Sequence, residues 1–331
     1  MSKYKGVVIA LCVSLGVLGG LASAIARPEM DKNSLIKPLV VTSIKPLEYI
    51  VADLAGDFIE LRSVLSASGS PHHYSLKPSQ VRMISSSDLL VWVGPEFEHF
   101  LAKLASQRQA KSLFQLVSLT QNTGQTDAEN DYSKDFAGAH KRAYISGSNT
   151  IEHKPHSHAG KDLHVWLNPE NVAEIVKPLT QSLLELIPQH EDAVRKNEKL
   201  FLARLSQFSV DLNAKLDYDK QNNFLVFHDA YRHFESAFGF KPVSSVTSVP
   251  DEQVGARTLA RIKGHVAQSH CLIADISEYT AAQKLANSLD IRLITVDLLA
   301  SQPFVPSFEK DSQYISYMER FALQFSECFL G

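Results

Sequence analysis

A chain of 331 residues has room for two domains of about 150 residues each. Hydrophobic residues make up 44% and charged residues 21%, with a net charge of −3. That balance excludes a disordered, fibrous or polytopic membrane protein and leaves no basic footprint for nucleic acid.

Lys3 and Lys5 open the chain ahead of an apolar, small-residue run from Gly6 to Ala26. Ala22-Ser23-Ala24 and Ala24-Ile25-Ala26 both offer the small-x-small pattern of a cleavage site, so residues 1–26 read as a secretory signal peptide. The same 21 apolar residues would also just span a bilayer as an uncleaved anchor. Removing the segment removes Cys12 and leaves Cys271 and Cys328. In an exported chain these two read as one disulfide, or else as two separate buried thiols.

Beyond residue 37, strands alternate with helices. Strands are predicted over residues 39–44, 59–65 and 88–94, with helices through residue 55 and over 78–85 and 98–106. This alternation marks a parallel α/β sheet. The pattern dissolves from Gln121 to Lys161, a loop that is acidic first and histidine-rich afterwards. Val172, Ile175, Val176, Leu179 and Leu183 then fall at helical spacing, and a longer amphipathic helix follows Pro188. A second α/β unit begins with a strand at 224–227. Asp229 is placed to cap a helix over 230–238, which Gly239 ends. Strands at 242–247, 271–274 and 291–296 follow, with helices at 253–268, 281–289 and 314–325. The reading is one architecture used twice: an N-terminal lobe at 37–168 that includes the loop 121–161, connecting helices at 169–218, and a C-terminal lobe at 219–331.

Thirteen histidines against three cysteines place the chemistry in imidazole. His72 and His73 follow the loop after the second strand, and His164 opens an apolar stretch. His228 and Asp275 stand at the carboxyl ends of strands, where open α/β sheets bind ligands. Imidazoles with one carboxylate suit Zn2+ and disfavour the oxygen-preferring magnesium and calcium. Five of the thirteen histidines fall within residues 140–164: His140, His153, His156, His158 and His164. Read alone, an isolated histidine such as His164 or His228 is more often a packed or surface residue than a ligand; the cluster is the stronger signal as composition, with a solvated polar loop as its alternative.

Five segments carry a resemblance: SPHHYSLKPSQV (70–81), LLVWVGPEFEHF (89–100), LHVWLNP (163–169), FHDAYRHFESAFG (227–239) and CLIAD (271–275). In this order the chain resembles the periplasmic zinc-binding receptors of ABC uptake transporters, the metal-specific branch of the solute-binding proteins. The resemblance implies two parallel-sheet α/β lobes joined by a long rigid helix, with the metal in the inter-lobe cleft. It implies a monomer in the periplasm that binds Zn2+ and delivers it to a membrane permease.

Carried over by residue, the family's ligands fall on His72, His164 and His228, while His73 falls on a position the family does not use. Asp275 matches an acidic position that supplies or neighbours a fourth ligand in some members. Manganese-type receptors place a carboxylate at the position of His228. Cys271 and Cys328 match a pair that is disulfide-bonded in similar zinc receptors. His140, His153, His156 and His158 match the histidine-rich loop, an auxiliary zinc collector. Pro71 departs from relatives that place Glu before the first histidine, which leaves the fourth ligand as Asp275, water or none. Two alternatives stand beside the receptor: a zinc hydrolase with a three-histidine site, and a metal-binding adhesin on the same scaffold. Against the hydrolase, the chain has no HExxH helix.

Overall fold

The computed structural model describes residues 37–65, 74–109, 112–117, 162–215, 223–248, 254–302 and 312–329. The expected signal peptide, His72, His73 and the four loop histidines lie outside them. Two four-stranded sheets form the frame, as the strand–helix alternation predicts. The first holds β1 (Leu39–Thr42), β2 (Glu60–Ser63), β3 (Leu89–Trp92) and β4 (Leu113–Gln115) in the order β2-β1-β3-β4. The second holds β5 (Leu225–His228), β6 (Ser244–Thr247), β7 (Leu272–Asp275) and β8 (Leu293–Val296) in the order β6-β5-β7-β8. Every pairing among them is parallel, and the two orders are the same.

The strands read as unbroken apolar runs because both faces of each sheet are covered. In β1, Val40 enters the large core shared by the two halves, while Val41 faces a second cluster on the other side of the first sheet. In β3, Leu89 and Val91 take the shared core, while Leu90 and Trp92 take the outer one. The second sheet repeats this: Val226 and Ile273 point into the shared core, and Leu225, Phe227, Leu272 and Ala274 into an outer cluster.

Helices α1 (Lys45–Ala55), α2 (Pro78–Ser86) and α3 (His99–Ser106) flank the first sheet. Next come α4 (Pro169–Leu186) and α5 (Glu191–Lys215), then α6 (Arg232–Phe238), α7 (Ala256–Val266), α8 (Tyr279–Leu289) and α9 (Gln313–Ser326). The long helix expected after Pro188 is α5, whose 25 residues span roughly 37 Å at the α-helical rise. It packs along α1 of the first half and α9 of the second. The halves are also tied directly. Asp53 on α1 accepts from the Ser312 hydroxyl (2.5 Å) and from the backbone N–H groups of Gln313 (2.8 Å) and Tyr314 (3.0 Å) at the start of α9. Cys271 and Cys328 form a disulfide that fastens the start of β7 to the C-terminal turn.

Two features differ from the sequence expectation. Strand β4 is only three residues long, too short to show a period, and was not predicted. Asp229 does not cap α6: the helix starts at Arg232 with Tyr231 in the cap position and no side-chain cap. The Arg232 guanidinium takes the Asp229 carboxylate instead, with Nε donating to Oδ1 at 2.8 Å.

Candidate metal centre

His164 is positioned by a short, heavily bonded segment. Asp162 Oδ1 accepts from both the His164 backbone N–H (2.9 Å) and the ring Nδ1 (2.7 Å). One carboxylate oxygen thereby sets both the main chain and the imidazole. A 3-10 turn, Val165–Leu167, follows, and Asn168 caps α4 by accepting from Glu170 N at 2.8 Å, with Pro169 in the first turn. Phe97 and Trp166 stand edge-on to the His164 ring, each with centroids 5.2 Å away. His233 adds support from α6: its Nε2 meets the Asp162 carbonyl at 3.0 Å and its Nδ1 meets Asn171 Nδ2 at 3.1 Å.

His228 is the last residue of β5, and Asp275 the last residue of the neighbouring β7. The carboxyl-end placement expected from the sequence is therefore present. Chain direction changes at Asp275, where a 3-10 turn, Ile276–Glu278, begins under a reciprocal capping box. Asp275 Oδ2 accepts from Ser277 N (3.0 Å), and Glu278 Oε2 accepts from Asp275 N (3.2 Å). The other Asp275 oxygen, Oδ1, accepts from Leu298 N at 2.9 Å. The turn brings Glu278 Oε1 to 3.0 Å from His228 Nδ1, both side chains being 4% exposed.

The rings of His164 and His228 thus come from opposite halves and lie 5.6 Å apart, centroid to centroid. Each has a buried carboxylate at its Nδ1. Burial alone raises the Asp162 carboxyl pKa, but the neighbouring His164 and His233 overcome this and hold it well below the usual carboxylate range. Burial likewise opposes the charged form of His228. The Glu278 carboxylate, with Asp275 and Asp162 farther off, outweighs it and pushes the imidazole pKa up. Burial pushes the Asp275 pKa up, against the hydrogen bonds from Ser277 and Leu298.

Of the four ligand positions inferred from sequence, the structure brings His164 and His228 together and places Asp275 at the end of the strand next to that of His228, in the framework of the turn. Among the described residues, no three His, Cys, Asp or Glu side chains form a metal-binding group. His72 falls outside the described residues. Sequence reading missed Asp162 and Glu278. Both had a legible signal: Asp162 stands two residues before a candidate ligand, and Asp275 and Glu278 have the spacing of a capping box.

Two parallel α/β halves with buried histidines meeting at their junction define a two-lobed α/β class, whose strand carboxyl ends are where open sheets bind ligands. Residues 40–328 match the family described as zinc-uptake complex component A, periplasmic, and the chain belongs to that family. It is 31% identical over 301 residues to the high-affinity zinc uptake system protein ZnuA of Yersinia pestis, covering 89% of this chain and 92% of that one. It is 32% identical over 241 residues to the ZnuA protein of Brucella abortus, covering 67% of this chain and 71% of the relative. Among solved structures, the periplasmic zinc-binding protein TroA of Treponema pallidum superposes with a TM-score of 0.68 at 16% identity, over 88% of this chain and 99% of that one. A ZnuA crystal structure gives 0.66 at 18% identity, over 88% and 99%. At these identities the two structures speak for the fold.

Proposed function

We propose that this chain is a periplasmic receptor that captures Zn2+ and delivers it to the permease of an ABC transporter for high-affinity import. The family is one of solute-binding receptors rather than enzymes. The observation that carries the reading is the pairing of His164 and His228 across the two halves, each backed at Nδ1 by a carboxylate. A zinc–nitrogen bond of about 2.0 Å puts each ring centre about 3.2 Å from the metal, so two tetrahedral imidazole ligands sit with centroids about 5.2 Å apart. The observed 5.6 Å is close to that spacing.

In this reading His72, His164 and His228 bind the metal through neutral imidazoles. The fourth position falls to Asp275 or to water: each Asp275 oxygen accepts one backbone N–H, from Ser277 and Leu298, and Oδ1 keeps a lone pair for a metal. Where water binds, Asp275 stays a nearby negative charge that braces the turn. Histidine at 228, where manganese-type receptors carry a carboxylate, favours a nitrogen-preferring metal. Affinity falls as pH falls, because the proton and the metal compete for the same ring. The loop histidines His140, His153, His156 and His158 hold further zinc loosely. The Cys271–Cys328 disulfide supports an oxidising, exported location, with the signal peptide removed.

A zinc titration of the exported chain, made without a histidine tag and against a competing chromogenic chelator, tests this directly. One site per molecule tighter than about micromolar, lost in His228→Ala and His164→Ala, is the expected result. Weak binding that both substitutions leave untouched would contradict it.

A further inference from the structure

We propose that Glu278 is a positioning residue for metal capture: its buried carboxylate holds His228 as the Nδ1–H tautomer, so that the ring presents Nε2 to the metal. Glu278 stands three residues past the end of β7, whereas His228 ends β5, so the contact crosses between neighbouring strands. Its Oε1 lies 3.0 Å from His228 Nδ1. A carboxylate has only acceptors to offer, so a neutral ring facing it at that distance carries its single proton on Nδ1. A metal bound by this ring is then bound through Nε2.

The carboxylate is itself fixed. Its second oxygen accepts from Asp275 N at 3.2 Å, so turning Glu278 away would also strip a buried N–H of its acceptor. Asp275 in turn holds Leu298 N, and the Leu298 carbonyl receives Trp166 Nε1 (3.3 Å) and the Tyr317 hydroxyl (2.7 Å). The carboxylate facing His228 is therefore held by a chain of bonds that reaches Trp166, which stands against the His164 ring. Asp162 performs the same task for His164 from only two residues away. Together the two carboxylates set one charge behind each ring, which matches the charge of a dication. The hydrogen bond from Asp162 also makes the His164 ring a stronger donor, and the Glu278 charge 3.0 Å from Nδ1 acts on the His228 ring in the same sense.

The inference rests on the receptor reading for its affinity readout and not for its tautomer readout. The experiment takes the 15N-labelled exported chain without metal, at alkaline pH, and records two-bond imidazole correlation spectra alongside zinc affinities. The Nδ1–H pattern is expected for His228, shifting toward Nε2–H in Glu278→Ala with zinc affinity about 10- to 100-fold weaker. Glu278→Gln, whose amide oxygen accepts the same N–H, should keep the tautomer and recover most of the affinity. In a His228→Ala background, Glu278→Ala should cost nothing further. An Nε2–H tautomer in the unsubstituted chain overturns the proposal, and this result needs no variant to fold. So does an unchanged tautomer with unchanged affinity in Glu278→Ala. A chain that binds no zinc, yet switches tautomer on Glu278→Ala, would sink the receptor reading and leave the Glu278 assignment standing.

Discussion

Glu98 shows how one buried side chain ties local geometry to solution behaviour. It sits just before α3, fully buried, with Oε2 accepting from Val93 N (2.8 Å) and Gly94 N (3.1 Å). Burial pushes its pKa up from 4.5 to about 7, with hydrogen bonds from Ser43, Gly94 and Val93 pulling the other way. The native state therefore binds a proton that the unfolded state has already released between those two values. Stability falls as pH rises through that window, by roughly 3 kcal/mol for this group. Glu98→Gln keeps an acceptor for the two backbone N–H groups and removes the charge. Urea unfolding at pH about 5 and about 8 should show a flatter pH dependence in Glu98→Gln; identical slopes in both proteins would contradict the assignment. At this scale the sequence was partly legible. His164, His228 and Asp275 stood out by residue type and by their place at strand ends or in an apolar stretch. Asp162 and Glu278 were overlooked: their spacings, two residues before His164 and three after Asp275, point to a turn or a cap, and only the folded backbone brings each carboxylate against a histidine.

The elements were more legible than the contacts between them. Strands buried on both faces leave continuous apolar runs, and α5 shows its apolar face in Val194, Phe201, Leu205 and Phe208. Strand β4 escaped because Leu113, Phe114 and Gln115 are too few to carry a pattern. The misplaced start of α6 has another cause: Asp229 had two possible partners, the helix N–H groups or Arg232, and a charged guanidinium three residues on is the stronger one. The tie from Asp53 to the start of α9 was invisible, since its partners lie about 260 residues away. Asp53 does for α9 what an N-cap residue does, but from another helix. Asp53→Ala should cost about 1–2 kcal/mol, lowering the melting midpoint by about 2–3 °C, with Asp53→Asn milder. An unchanged midpoint in Asp53→Ala would show that the tie carries no weight.

Across the whole molecule, the same strand order is used twice, and the shared core runs between the halves rather than staying within each. The repeated strand–helix alternation made the duplication readable from sequence. The shared core was not readable, because apolar periodicity shows that a face is covered without saying by what. Helices α1, α5 and α9 bind the halves into one frame, and the two histidines meet where that frame joins the sheets. Such a frame favours small adjustments of the site over a wide hinge, so metal-free and metal-loaded crystal forms should superpose closely. The disulfide adds stability: closing a loop with a sequence separation of 57 restricts the unfolded chain by about 4 kcal/mol in the chain-entropy view.

The central claim is a single zinc ion held by imidazoles from both halves. X-ray absorption at the zinc edge, on the exported chain loaded with one equivalent of metal, addresses it most directly. Three imidazole nitrogens and one oxygen at about 2.0–2.1 Å are expected, falling to two imidazoles in His164→Ala. A shell dominated by oxygen, unchanged by that substitution, would contradict the account.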